Sequence, residues 1–219
     1  MGARAQAILP LALVVGVLSF LWTEFSLNFT FHWVTSGDLG IGLELPSNFH
    51  LILPTAFVSW GMFFMAGGDN AAAGKVAVAC IFGTVAALIT MPLAFKTADL
   101  PDFWGIALWV GIFAFILVAI LIAGDWYYVA GTFPAFASVF LWWIATGLDG
   151  WAPNGGGVGN SIQALTDAPG SGAFGGVIST PWQYVWLNTL VSLLCGVVLG
   201  VVSAKLAAAL TPKPKTAEA

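Results

Sequence analysis

The chain has 219 residues and a net charge of −4; 59% of its residues are hydrophobic and only 7% are charged. Soluble domains carry about a quarter charged residues, so this composition, with a mean hydropathy of +0.95, indicates a protein of the lipid bilayer. Six Lys and Arg residues cannot form a surface that follows nucleic-acid phosphates, and we therefore expect no nucleic-acid partner.

Six apolar segments predict an all-α integral membrane protein with six transmembrane helices, each near the length that crosses about 30 Å of hydrocarbon. In chain order they are Ala7–Trp22, Phe49–Met65, Val76–Phe95, Phe103–Ala123, Trp126–Thr146 and Tyr184–Leu210. The first segment is similar to a signal peptide, but no clear small-residue cleavage site follows before Glu24, so we interpret it as a retained helix. Residues 25–33 can extend that helix if it is tilted.

The segments between the helices predict one membrane domain, residues 1–210, with two long loops and a tail. Residues 23–48 mix aromatic and polar residues, and residues 147–181 are rich in glycine, which is typical of loops. Residues 211–219 predict a disordered tail. With six spans both termini lie on one side, and five of the six basic residues share that side with them: Arg4, Lys75, Lys205, Lys213 and Lys215. The positive-inside rule therefore predicts cytoplasmic termini and outer loops.

Two stretches of the sequence are similar and indicate an internal repeat. The first begins LPTAFVSWGMFFMAGGD at Leu53, and the second contains GTFPAFASVFLWWIATGLDG. Helix breaks are predicted in the first at Pro54 and Gly61, and in the second at Gly131 and Pro134. Three spans per half is an odd number, so a repeat of this kind is inverted, an arrangement common in transporters. The alternative is two unrelated hairpins made from the same small residues.

Small residues on two of the predicted helices indicate close helix packing in lipid. They are Cys80 and Gly83 on the third helix, and Cys195, Gly196 and Gly200 on the sixth. The sequence leaves open whether these faces join the halves of one subunit, two copies of the chain, or a partner membrane protein. The two cysteines fit neither a disulfide scaffold nor a metal motif.

No pattern of residues predicts catalysis, so we expect neither an enzyme nor a cofactor. Hydrolase, zinc-protease and P-loop motifs are missing from the sequence. The two histidines, His32 and His50, lie near the predicted outer boundary, and a zinc site would need further ligands. We interpret both as interfacial histidines beside aromatic residues, and we predict no metal site.

Neutral polar residues inside the predicted helices are the candidates for lining a solute pathway. They are Thr55, Ser59, Thr132, Ser138, Asn188 and Ser192. Neutral hydroxyls and amides suit an uncharged solute such as urea, ammonia or a small amide. The alternative is that they are packing residues bonded to their own helix backbone. If they line a pathway, leucine at Ser59 or Ser138 should block flux without unfolding the protein.

Two hypotheses for the function follow from this architecture. The first is a membrane channel or facilitator for a small neutral solute. The second is a non-catalytic accessory subunit that docks onto a larger membrane complex through its outer loops and tryptophan-rich faces. A homo-oligomer alone after mild solubilisation would favour the channel, and stoichiometric partners would favour the accessory subunit.

Three motifs of the sequence resemble the bacterial inner-membrane family known as domain of unknown function 1097. They are SWGMFFMAGGD followed by a Gly-Lys pair, GTFPAFASVF, and LVSLLCGVVLGVV. The resemblance covers roughly residues 54–147 and 188–205. It implies a small polytopic protein of the bacterial inner membrane and brings no established reaction or substrate. The chain departs from the family in the two long outer loops.

Overall fold

The computed structural model describes residues 3–34, 48–124, 126–146, 148–151 and 180–211. Within these residues the fold is all-α, with six α-helices and no strand. The helices are α1 (Ala3–Asn28), α2 (Leu53–Met65), α3 (Asn70–Phe95), α4 (Trp104–Ala119), α5 (Val129–Ala145) and α6 (Trp182–Leu210). A π-helix, Phe29–Val34, continues α1, and a 3-10 helix, Ile120–Ala123, continues α4.

Two helix ends differ clearly from the sequence prediction. Residues 23–34, expected to begin the first outer loop, are helical, which corresponds to the extension over residues 25–33 that the sequence allowed. The third helix begins at Asn70, six residues before the predicted Val76, because the Asp69 side chain accepts a hydrogen bond from the first-turn amide of Ala72 (2.7 Å). Most of the two predicted loops (35–47 and 152–179) and the tail from residue 212 lie outside the described residues.

Four of the described helices are long and apolar enough to cross a membrane, and the chain is therefore a membrane protein. These are the Ile8–Asn28 part of α1, α3, α4 with its 3-10 extension, and α6. The apolar helices α2 and α5 are shorter, at 13 and 17 residues. A helix of 13 residues is about 20 Å long, so α2 by itself falls short of the hydrocarbon thickness.

The helices α2 and α6 lie side by side and run in the same direction. Just before α2, the amide of Ile52 donates to Ser192 Oγ (2.8 Å), and further along α2 the indole of Trp60 donates to Ser203 Oγ (3.0 Å). Residue numbers therefore rise together on both helices. The short turn between α2 and α3 reverses the chain, so α3 runs opposite to α2 and α6.

The helices α3 and α5 form a second parallel pair. A Cβ added to Gly131 on α5 would lie 2.9 Å from the Cβ of Ala79 on α3, and one turn further along, a Cβ added to Gly83 would lie 2.9 Å from that of Ala135. Because α3 runs opposite to α2, α5 also runs opposite to α2. The two pairs, α2 with α6 and α3 with α5, form the centre of the bundle and point in opposite directions.

The helices α2 and α5 end in the same way, 80 residues apart. The amide of Gly68 donates to the carbonyl of Phe63 (3.0 Å), and the amide of Leu148 donates to that of Trp143 (2.9 Å). Both capping residues have positive φ, +72° for Gly68 and +60° for Leu148. This is the Schellman end of an α-helix, a conformation that glycine adopts freely and leucine only under constraint.

An aspartate follows each of these helix ends and caps the next helix. Asp69 caps α3 through the amide of Ala72, and Asp149 Oδ2 accepts from the amide of Trp182, the first residue of α6 (2.9 Å). Acidic groups are stabilised there by the positive end of the helix dipole. The same helix–turn–aspartate–helix unit therefore occurs twice, and in the second copy residues 150–181 are inserted between the aspartate and the helix.

The residues expected to break the helices lie within continuous helical structure. Pro54 stands in the first turn of α2, where its missing N–H has no intrahelical partner to lose. The helices continue through Gly61, Gly131 and Pro134. Pro134 removes one backbone hydrogen bond from α5, and Gly131 provides room for the side chains of Tyr128 and Ala79.

Candidate functional site

Two of the six predicted pathway residues, both on α5, bond to their own helix. Thr132 Oγ1 donates to the carbonyl of Tyr128 (3.0 Å), and Ser138 Oγ donates to that of Pro134 (2.8 Å). Such bonds satisfy a hydroxyl in an apolar environment without any ligand. These two positions therefore have the geometry that the packing alternative describes.

The other predicted residues lie on α2 and α6. Ser59 Oγ donates to the carbonyls of Ala56 (3.1 Å) and, across the helix contact, Leu193 (2.5 Å). Thr55, also buried, lies one turn before Ser59 on the same face of α2. Ser192 and Asn188 lie on the facing side of α6, where both hold residues that precede α2. The structure thus places four of the six at the contact between α2 and α6, whereas Thr132 and Ser138 are bonded within α5.

Two cavities contain the separate residues, and neither is lined by the α2–α6 group. Ser138 lines an apolar groove of about 760 Å³, mainly between α4 and α5. Thr132 lines a cleft of about 200 Å³ between α3 and the residues that precede α5. In this cleft Lys75 Nζ lies 5.7 Å from the centre of the Tyr128 ring, within the range of a cation–π interaction.

The predicted packing glycines lie at the closest helix contacts. A Cβ on Gly83 of α3 would meet the carbonyl of Thr132 on α5, and a Cβ on Gly196 of α6 would meet that of Ala56 on α2. A Cβ on Gly200 would lie 2.6 Å from the ring of Phe63. These faces join helices within one subunit. Of the two cysteines, Cys80 is buried and Cys195 half-buried, and both thiols are free.

Ser59 lies too deep in this contact for the leucine substitution that the sequence suggested. A Cβ on Gly196 would collide with Ser59 Oγ as well as with the backbone of α2, so no space exists for the two additional heavy atoms of a leucine side chain. Overfilling a packed contact is destabilising. We therefore expect Ser59→Leu to disrupt the bundle, and the substitution cannot report on flux.

Residues 48–52, which we call the strap, form a site that sequence reasoning missed. The strap precedes α2 and is tied to α6 at both ends, through Asn188 Nδ2 to the carbonyl of Asn48 (2.9 Å) and through Ser192 to the amide of Ile52. On its other side Thr30 Oγ1 bonds to both the amide and the carbonyl of Leu51 (3.0 and 3.1 Å). The strap is therefore held between α6 and the π-helix.

The strap buries His50, which the sequence had suggested was an interfacial histidine. Its exposed fraction is 0%, and burial in a medium of low dielectric constant disfavours the charged imidazolium. The ring is consequently neutral near pH 7, with one nitrogen a donor and the other an acceptor. The signal in the sequence was the apolar context FHLIL directly before Pro54.

The described residues contain no group of three or more His, Cys, Asp or Glu side chains that could hold a metal ion. The chemistry available at the strap is therefore that of neutral hydrogen-bonding groups, namely the imidazole of His50, the amide of Asn188 and the hydroxyls of Ser192 and Thr30. The hydroxyls of Ser192 and Thr30 are already bonded to the strap, so the imidazole of His50 and the amide of Asn188 are the groups that can bind a polar molecule.

The sequence model of a family described as "Protein of unknown function (DUF1097)" matches residues 12–208. The chain belongs to this family. The match confirms the resemblance seen in the sequence and extends it across both long loops. No curated protein and no solved structure matches the chain.

The DUF1097 match covers the last part of α1, all of α2 to α5 and nearly all of α6. The strap, the glycine contacts and both capping aspartates lie inside the matched range. These features therefore belong to the part of the chain that matches the family.

Proposed function

We propose that this DUF1097 protein is a six-span channel or facilitator of the bacterial inner membrane for a small neutral solute, built as a 3+3 inverted repeat. The observation that carries the proposal is the correspondence between the two central pairs. A two-fold operation that exchanges α2 with α5 also exchanges α6 with α3. It therefore converts the α2–α6 pair into the α5–α3 pair.

One contact in each pair supports this correspondence. Positions on α2 and α5 correspond at a shift of 80 residues, as their helix ends show. With a shift of 109 residues between α3 and α6, the contact of Gly83 with the turn from Thr132 corresponds to the bond of Ser192 with Ile52. Because the two pairs run in opposite directions, the two-fold axis lies in the membrane plane, as in inverted-repeat transporters.

The length of α2 supports a solute pathway beside the strap. A helix of 13 residues covers about 20 Å of the roughly 30 Å of hydrocarbon, so in a six-span arrangement the strap lies at membrane depth. Non-helical backbone is tolerated at that depth only where it is buried in protein or lines a polar cavity. The bonds from Thr30, Ser192 and Asn188 bury the strap in this way.

The neutrality of the core favours an uncharged solute. Apart from His50, every buried polar side chain among the described residues is a serine, a threonine or an asparagine. Pathways for ions usually present charged rings or converging carbonyl oxygens, and charged residues in the membrane are typically functional. A core with only neutral hydrogen-bonding groups and apolar walls disfavours ions and suits small neutral molecules.

We expect purified protein in liposomes to raise the permeability of at least one small neutral solute above that of protein-free liposomes. Urea, acetamide, ammonia and glycerol form a suitable panel, and stopped-flow light scattering measures the swelling rate. Sodium and chloride should show no increase. If no neutral solute responds in vesicles that contain correctly folded protein, the channel hypothesis is wrong. Recovery of a stoichiometric membrane partner in mild detergent would then favour the accessory subunit.

The six-span orientation predicts opposite labelling at two exposed positions. In a protein whose Cys80 and Cys195 are replaced by alanine, a cysteine at Ala98, between α3 and α4, should react with an impermeant thiol reagent from the outside. A cysteine at Thr211 should react only after permeabilisation, because an odd number of spans separates the two sites. Labelling of both from one side would contradict the six-span topology, and reversed labelling would contradict the cytoplasmic termini.

A further inference from the structure

The contact between the strap and α6 contains hydrogen-bonding groups that the described residues do not satisfy. Both ring nitrogens of His50 and the Oδ1 atom of Asn188 are buried and have no hydrogen-bond partner. Both side chains have an exposed fraction of 0%. In the strap His50 stands between the two ties to α6, at Asn48 and Ile52, and Asn188 itself forms the first of these ties.

Groups buried in this way are unusual and costly. More than nine in ten buried polar atoms have a partner, and each unsatisfied one costs about 1–3 kcal/mol. The neighbouring buried residue of the same helix does not carry this cost, because the hydroxyl of Thr189 donates to the carbonyl of Val185 (2.7 Å). Only one of the two polar atoms of the Asn188 amide is hydrogen-bonded. The nitrogen donates to the strap, and the oxygen has no donor.

The chemistry of the three open atoms defines their complement. A neutral imidazole offers one donor and one acceptor, and the amide oxygen of Asn188 is a second acceptor. The two imidazole nitrogens point to opposite sides of the ring, so one small molecule bonds to only one of them. A molecule that bonds to that nitrogen and to Asn188 Oδ1 presents an N–H or O–H donor to the amide oxygen, and either a second donor or an acceptor to the ring. It is uncharged, since an isolated charge buried here would be far more costly than a neutral group.

We propose that the strap and α6 enclose a binding site in which His50 and the Asn188 amide oxygen bind a small neutral molecule of the amide or urea class. A primary amide has two N–H donors and a carbonyl acceptor, which suits either arrangement described above. Under the orientation proposed above, the site lies in the outer half of the membrane. The inference rests on the proposed function only in naming this molecule as the solute, because binding is measurable without transport.

The test is saturation-transfer NMR with acetamide as the probe and the full-length protein in detergent. We expect transfer from the wild-type protein to acetamide and at least a fivefold smaller signal for Asn188→Leu. His50→Phe keeps an aromatic ring of similar size and removes both nitrogens, so it should lose the signal independently of Asn188. Thr189→Val, a change of a self-bonded hydroxyl on the same helix, should keep the wild-type signal.

A second control separates the open atoms from the anchoring of the strap. Asn188→Leu also removes the tie to Asn48, whereas Ser192→Ala removes the other tie and leaves the open atoms in place. We expect Ser192→Ala to retain acetamide binding. Loss of binding in Ser192→Ala equal to that in Asn188→Leu and His50→Phe would overturn the proposal, since anchoring would then explain the result.

Three further outcomes would also overturn the site. The first is unchanged acetamide binding in both Asn188→Leu and His50→Phe. The second is the lack of an acetamide signal from the wild-type protein. The third is saturation transfer from the protein to long-lived bound water only. The proposed function fails separately. Acetamide binding without any flux contradicts the facilitator and not the site, whereas flux without acetamide binding to the wild-type protein contradicts the site and not the facilitator.

Discussion

Valine at Gly196 is expected to prevent the bundle from assembling. A single Cβ at this position would collide with the carbonyl of Ala56 and with Ser59 Oγ, and the α2 backbone cannot move away while Ser59 and Trp60 hold it to α6. Overfilling a packed contact costs about 1–3 kcal/mol for each added group. We expect alanine to lower the unfolding temperature clearly and valine to leave little folded protein, as measured by intrinsic fluorescence in detergent.

Other helical glycines provide matched controls for Gly196. A Cβ added to Gly61 on α2 or to Gly111 on α4 meets no atom within 4 Å. Alanine at these positions should leave stability unchanged or raise it, because glycine costs about 1 kcal/mol in a helix interior. Equal decreases for Gly196→Ala and Gly61→Ala would contradict the α2–α6 contact as the cause, because helix propensity alone favours alanine at both positions.

Alanine at Trp143 is expected to destabilise the protein by about 3–5 kcal/mol. The side chain is fully buried, packs against Phe95 and Phe140, and donates from its indole to the carbonyl of Asp149 (2.9 Å). That residue in turn caps α6, so the substitution loosens both the end of α5 and the start of α6. In lipid the loss comes from packing contacts more than from the hydrophobic effect.

Two substitutions separate the packing of Trp143 from its hydrogen bond. Trp143→Phe keeps an aromatic ring and removes the bond, so it should cost about 1 kcal/mol plus the unfilled volume. Trp104→Ala changes a tryptophan that is 67% exposed and should have little effect on the unfolding temperature. A loss for Trp104→Ala as large as that for Trp143→Ala would contradict burial as the cause.

The helices could be predicted from sequence because each requires a long apolar segment, and composition alone places such segments in lipid. The exact start of α3 could not be predicted, because residues 70–74 are not strongly apolar. The start of the helix depends on one hydrogen bond to the side chain of Asp69. The glycines were found because small residues recur at helical spacing. The helices that these glycines contact could not be predicted, because the pattern of small residues does not indicate which helices face each other.

The candidate site was harder to predict, because residue type does not determine a hydrogen-bond partner. Ser59 and Ser138 are both serines within short apolar helices. One bonds across a helix contact and the other only to its own backbone. His50 was misjudged because its burial depends on Thr30 and Ser192, which lie 20 residues before it and 142 after it in the sequence. Only the three-dimensional fold brings these residues together.

The bond between Asp149 and Trp182 also determines where the chain tolerates the replacement of a long segment. Its two ends lie 2.9 Å apart, so Asp149 and the start of α6 are neighbours in space although residues 150–181 separate them in the sequence. Loop-closure entropy changes slowly with length, and the helices do not need the intervening residues to span any distance. This junction is a natural grafting point, where a short linker or a whole reporter domain could replace the native segment while both helix ends stay fixed.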